Sequence, residues 1–298
     1  MTVTDVAVLG AGPAGCGAAV QCRRLGLDVV LLDRTGGAGG LVREARLLEN
    51  CPGLPAPVAG TEYARNLEAL LERTGIGVRR YLVGSVSREE GAFVVRGSGE
   101  DIRCGSVILA VGTQPVEYSI GTGAGVEIHR SILELEDDPP KSAVVIGGGE
   151  AALDYALNLA DSGSAVTVLV RGRRLRARGM LKEEFLARKS IDILYHTIAL
   201  SAFRGEHGTV RLEVRAPGGR SSLQTGAVLA AVGRKTVLPA LSFDFHHEQR
   251  EVATSLGGFY MAGDAAAGRS GQASTASGQG VLAGMLACEF LAGKEEKI

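Results

Sequence analysis

The chain has 298 residues, 45% hydrophobic and 22% charged, with 43 glycines, a length that suits about two domains. Lys+Arg 32 against Asp+Glu 33 leaves a net charge of −1, so there is no electrostatic ground for a nucleic-acid or membrane-surface partner. No apolar run approaches the roughly 18 residues of a membrane helix, and the N-terminus lacks a signal-peptide pattern. Val6 to Leu9 reads as a buried strand running into Gly10-Ala11-Gly12-Pro13-Ala14-Gly15. Ala18 to Leu25 then reads as a helix stopped by Gly26, and Asp28 to Leu32 as a strand ending at Asp33. Tyr63 to Thr74 carries apolar residues at helical spacing, at 63, 67, 70 and 71. Alternating short strands lead to Ser106–Leu109 and Ala110-Val111-Gly112, a buried strand meeting a cofactor. Residues 115–142 read as a linker, and the first pattern then repeats: strand 143–146, glycine turn 147–149, helix 151–161, strand 165–170. Gly226 to Ala231 ends in Val232-Gly233, an echo of Val111-Gly112, and a glycine-broken helix follows Gln272.

The two glycine turns start 137 positions apart. In each, the first glycine (Gly10, Gly147) takes a turn that a side chain would resist, and the second (Gly12, Gly149) lets a pyrophosphate approach. The third position (Gly15, or the small Ala152) lets helix and strand pack closely. Amides at each helix N-terminus, at Ala14 just after Pro13 and at Glu150-Ala151, face the phosphates with the positive end of the dipole. Asp33, 18 residues past Gly15, is placed for ribose hydroxyls. Two such units in one chain point to electron transfer between two dinucleotides.

The order of these motifs resembles the low-molecular-weight thioredoxin reductase group of flavin-dependent pyridine nucleotide-disulfide oxidoreductases, over essentially the whole chain. Gly10–Gly15 with Asp33 resembles the group's FAD loop, and Gly39-Gly40-Leu41 through Asn50-Cys51-Pro52-Gly53 its flavin-flanking stretch. Gly147 to Ala152, with the basic run from Arg171 to Arg176, resembles its NADPH site, and Gly263-Asp264 with Gln272-Ala273 its C-terminal FAD motif. The resemblance implies an α/β fold of two Rossmann-like, three-layer ββα dinucleotide-binding domains. An NAD(P)H domain at 115–238 is inserted in a discontinuous FAD domain, 1–114 and 239–298. It also implies a homodimer with hinges near 112–118 and 233–240, with Val83, Ala110 and Gly112 at FAD and Val232 and Gly233 at NAD(P)H.

One departure stands out. The group's Cys-x-x-Cys falls just before the second glycine loop, where this chain reads Gly125-Val126-Glu127-Ile128-His129-Arg130-Ser131-Ile132-Leu133. No thiol is present, so the dithiol route to thioredoxin is closed. The expectation is an FAD-dependent oxidoreductase taking hydride from NAD(P)H and passing electrons to an unidentified small-molecule or protein acceptor. Ferredoxin/flavodoxin-NADP reductase-type transfer is an alternative; so is a catalytically silent flavoprotein acting as redox sensor or interaction partner. A third is a small-disulfide reductase using Cys51, set against a plain packing role for that thiol. His129 is a candidate proton donor or a surface histidine. Cys16, Cys22, Cys104 and Cys288 are expected to pack, and five widely spaced cysteines suit a reducing cytoplasm. No Cys/His metal spacing occurs, and no metal is expected. Val170, not an acid, ends the second nucleotide strand, and Arg171 and Arg176 follow. Guanidinium groups there favour NADPH, with NADH the second choice.

Overall fold

The structure, a computed structural model, describes residues 1–268 and 271–295. The last three residues of the C-terminal stretch expected to run to 298 lie outside the described residues. In chain order come β1 (Thr2–Leu9), α1 (Pro13–Arg24), β2 (Val29–Asp33), α2 (Gly60–Arg73), β3 (Val78–Arg80), β4 (Val83–Glu89), β5 (Ala92–Gly97) and β6 (Ile102–Leu109). Next are β7 (Gln114–Pro115), β8 (Gly121–Thr122), β9 (Ser142–Ile146), α3 (Glu150–Asp161), β10 (Ala165–Val170), α4 (Gly179–Ala187) and β11 (Ile191–Tyr195). Then follow β12 (Ile198–Arg204), β13 (Val210–Ala216), β14 (Gly219–Thr225), β15 (Ala227–Ala230) and β16 (Arg234–Lys235). The chain closes with β17 (Ala240–Leu241), β18 (Phe259–Met261), α5 (Asp264–Ala267) and α6 (Ala273–Glu295).

The chain divides into two compact units, one of 1–43, 47–114 and 236–298, the other of 44–46 and 115–235. In the first, β3, β2, β1, β6 and β18 run parallel, and the β4–β5 meander joins this sheet through β6. Both faces of the parallel strands are buried, so their sequence is a continuous apolar run rather than an alternation. Val6 and Val8 face α1 and α6, while Ala7 and Leu9 face Phe93, Val95 and Phe259 on the other side.

The second unit has three layers. Parallel strands in the order β11-β10-β9-β15 carry α3 and α4 on one face and the sheet β14-β13-β12-β8 on the other. Val145 and Val168 point toward Leu153 and Phe185, and Val144 and Ile146 toward Leu212 and Val214.

Three sequence expectations need revision. Helix α1 begins at Pro13, earlier than Ala18, because proline suits the first helical turn. The stretch 115–142 is no free linker: β8 joins β12, and His129 bridges to Leu229 at the sheet edge. Nor is the last helix broken by its glycines. A Cβ at Gly280 would lie 1.9 Å from the Ala14 carbonyl oxygen and one at Gly284 3.0 Å from that of Ala18. Those glycines are what let α6 lie against α1.

Candidate functional site: two glycine cradles

In the first unit, β1 delivers the chain to Gly10, whose φ of +105° favours glycine. A Cβ there would sit 2.3 Å from the Ala110 oxygen, and one at Gly15 only 1.7 Å from the Gly10 oxygen. At Gly12, in contrast, a Cβ would meet nothing nearer than the Gly39 oxygen at 3.9 Å. Two positions are filled by the fold and the middle one faces open space, which is the cradle a pyrophosphate needs. Pro13, Ala14 and Gly15 form the first turn of α1. Gly39 donates its amide to the Ala11 oxygen at 2.8 Å, and Gly40 opens a short 3-10 turn holding Leu41. Ala110 donates to the Leu9 oxygen at 2.8 Å, and Gly112 has φ +61°.

Asp33 is locally fixed. Its Oδ2 accepts from the Ala11 amide at 3.0 Å, and its Oδ1 from the Thr35 amide at 2.8 Å and hydroxyl at 2.6 Å. Thr35 escaped the sequence reading, although a hydroxyl two residues after an aspartate is a signal for such a turn. Beside it a cleft of about 680 Å³ is lined by Arg34, Thr35, Arg80, Leu82 and Ser98. Val83, next after Leu82, starts β4.

The C-terminal motif joins the same unit. Gly263 (φ +73°) donates to Gln279 Oε1 at 2.9 Å, and Asp264 begins α5. A Cβ at Gly271 would fall 2.2 Å from Asp264 Oδ1, so the carboxylate needs that glycine. Asn50 donates to Gln272 Oε1 at 2.7 Å, and the Ser274 hydroxyl donates to the Asn50 oxygen at 3.3 Å and to Cys51 Sγ at 3.2 Å. Residues 50 and 51 thus meet Gln272 and Ser274, on either side of the Ala273 that opens α6, though 222 positions separate Asn50 from Gln272. Burial pushes the Cys16, Cys22 and Cys104 thiols up to about 12, which suits packing rather than reaction.

The second unit repeats the device. Gly147 has φ +152°, and a Cβ there would lie 2.4 Å from the Ala231 oxygen and 2.9 Å from Ala152 Cβ. Gly149 has open space but for one Arg176 guanidinium nitrogen, 3.8 Å from where a Cβ would stand. Glu150 and Ala151, both exposed, open α3. The Arg176 amide donates to the Gly148 oxygen at 2.6 Å, so its backbone is tied to the loop its side chain overlies. Arg171 is exposed just past the buried Val170, and its charge reaches Tyr118. Gly233 (φ +136°), after Val232, accepts from the Val116 amide at 2.9 Å. His129 lies in this unit and Cys51 in the other.

Both cradles fit the phosphates of a dinucleotide, which defines a two-dinucleotide oxidoreductase. Residues 4–280 match the pyridine nucleotide-disulphide oxidoreductase family, and the chain belongs to it. More particularly, it is 30% identical over 300 residues to the thioredoxin reductase of Treponema pallidum, covering 96% of this chain and 97% of that protein. It is 26% identical to the Bacillus subtilis thioredoxin reductase over 296 residues, with 94% and 92% covered. The Lactococcus lactis thioredoxin reductase in its FR conformation superposes with a TM-score of 0.87 at 22% identity, over 97% of this chain and 99% of that one. A bacillithiol disulfide reductase from Staphylococcus aureus gives 0.79 at 18% identity, over 99% and 100%. At those identities the solved structures speak for the fold, two Rossmann-like domains. The chain is a flavin-dependent oxidoreductase, and the cofactors of its group are FAD and NADPH. No helix among the described residues is long and apolar enough to cross a membrane.

Proposed function

We propose that residues 1–114 and 239–298 bind FAD, that residues 115–238 bind NADPH, and that the electrons leave to an acceptor other than a protein dithiol. One observation carries this reading: both glycine cradles are intact while no thiol stands between 125 and 133. When bound, FAD supplies two-electron exchange with a nicotinamide; the protein's part is to bind and orient. Amides of Gly12, Ala14 and Gly15 hold the FAD pyrophosphate, with Pro13 setting the first turn of the helix, and Asp33, fixed by Ala11 and Thr35, takes the ribose. Asp264 takes the ribityl chain, with Gln272 and Ala273 beside the ring and Gly39, Gly40, Leu41, Asn50, Val83, Ala110 and Gly112 around the rest. Gly147, Gly149, Glu150 and Ala151 hold the NADPH pyrophosphate, and Val232 and Gly233 flank it. Arg171 and Arg176 take its 2′-phosphate, a charge that the apolar Val170 does not repel.

The protein works in this reading as a cytoplasmic homodimer. An exposed apolar stripe on α6, at Val281, Leu282 and Met285, supports a second copy as its cover. The test is anaerobic mixing with NADPH or NADH, followed by an acceptor panel of ferredoxin, flavodoxin, quinones, small disulfides and thioredoxin. Bleaching of the flavin band at lower NADPH than NADH, and no turnover with thioredoxin, is expected. Protein that neither contains nor binds flavin would sink the proposal.

The hydroxyl contact from Ser274 to Cys51 Sγ favours a second reading, a small-disulfide reductase using that thiol. It requires Cys51→Ser to lose turnover with small disulfides alone.

A further inference from the structure

The stretch that lacks the dithiol holds a different cluster. Glu127 and His129 are two apart where the chain reaches the sheet edge, His129 bridging to Leu229, and their side chains come together there. His129 is held on both sides of its backbone: its amide donates to the Val228 oxygen at 2.9 Å, and its oxygen accepts from Ala230 at 2.8 Å. Glu134 is held as well. Its Oε1 accepts from the Ser131 amide at 3.1 Å, the reciprocal half of a capping box, which leaves Oε2 3.1 Å from His129 Nδ1. One ligand atom from each of Glu127, His129 and Glu134 lies within 4.8 Å of the others.

The imidazole–Glu134 contact alone needs nothing more than a hydrogen bond. Glu127 is what that bond leaves unexplained: it brings a second carboxylate to the imidazole and has no ion-pair partner among the described residues. Two carboxylates around one imidazole carry an excess of negative charge that a divalent ion neutralises. The spacing suits one. Two ligands each about 2.1 Å from a tetrahedral ion stand about 3.4 Å apart, close to the 3.1 Å observed. Mixed nitrogen and oxygen donors select an ion of the zinc class over calcium or magnesium.

We propose that Glu127, His129 and Glu134 form a three-ligand site for a divalent transition-metal ion of the zinc class. The ion ties the edge segment 127–129 to the 3-10 turn Ile132–Leu135, and its remaining coordination positions open to solvent. The site stands whatever the electron acceptor proves to be.

The test is equilibrium dialysis of the flavin-loaded full chain against Zn²⁺, with bound metal counted by mass spectrometry and the thermal midpoint followed. Wild type, Cys51→Ser, His129→Ala and Glu127→Gln are compared; Glu127 is exposed, so its variant folds. A single zinc per chain is expected, unchanged in Cys51→Ser. Affinity falls about tenfold or more in His129→Ala and Glu127→Gln, and with it the metal-dependent rise in midpoint. Zinc binding in Glu127→Gln equal to wild type would overturn the proposal, as would uptake that survives in His129→Ala, or no uptake at all.

Discussion

The two glycine turns use the same backbone device and finish it differently. At Gly10–Gly15 and at Gly147–Ala152, the outer positions are closed by neighbouring carbonyls or a methyl group, and the middle glycine is left open. The strand that follows decides which nucleotide each can take. β2 ends in Asp33, whose two oxygens are already oriented by Ala11 and Thr35. β10 ends in buried Val170, with Arg171 exposed beyond it and Arg176 lying over Gly149. The turn suits a dinucleotide, and the charge at the strand end favours either a free ribose or a 2′-phosphate there.

The largest way to break this parallel is at its closed positions. A methyl at Gly15 has no room, so Gly15→Ala should destabilise the protein by about 3 kcal/mol and yield it without flavin. Gly147→Ala, whose methyl also lacks room, should destabilise the second unit but keep the flavin spectrum and raise KM for NADPH at least about tenfold, about 1.4 kcal/mol. A denaturation curve and an absorption spectrum separate the two; loss of flavin from both variants would deny that the turns serve different nucleotides. A smaller effect tests the basic side. Arg171→Ala with Arg176→Ala should raise KM for NADPH about tenfold and leave KM for NADH within about twofold, since only the 2′-phosphate is lost as a partner. Equal changes for both nucleotides would remove the charge argument. The smallest effect is at Cys51, where Cys51→Ser should leave steady-state turnover with non-disulfide acceptors within about twofold.

Strand–turn–helix order was legible in the sequence because parallel strands buried on both faces leave unbroken apolar runs, such as Val6–Leu9 and Ala143–Ile146. The parts that were not legible depend on distant partners. Gly280 and Gly284 look like helix breakers until α1 is placed against them. Thr35 is an ordinary loop threonine until Asp33 turns toward it, and Asn50 meets Gln272 only after folding. The Glu127–His129–Glu134 cluster lay outside the Cys/His spacings that signal a metal, because its third member comes from the next turn. Segment 44–46 gave no sign that it packs with the second unit. There the Arg46 guanidinium bonds Asp161 and Glu184, and Tyr155 donates to Glu44.

In the proposed function, electrons enter this protein as in its relatives but do not leave through a dithiol of its own. Anaerobic reductive titration tests it most directly, because a flavin takes up one two-electron equivalent and a redox-active disulfide takes up a second. The expected end point is a single two-electron equivalent per bound flavin, identical in Cys51→Ser. An end point at two equivalents would show a hidden disulfide acceptor in the chain and contradict the claim.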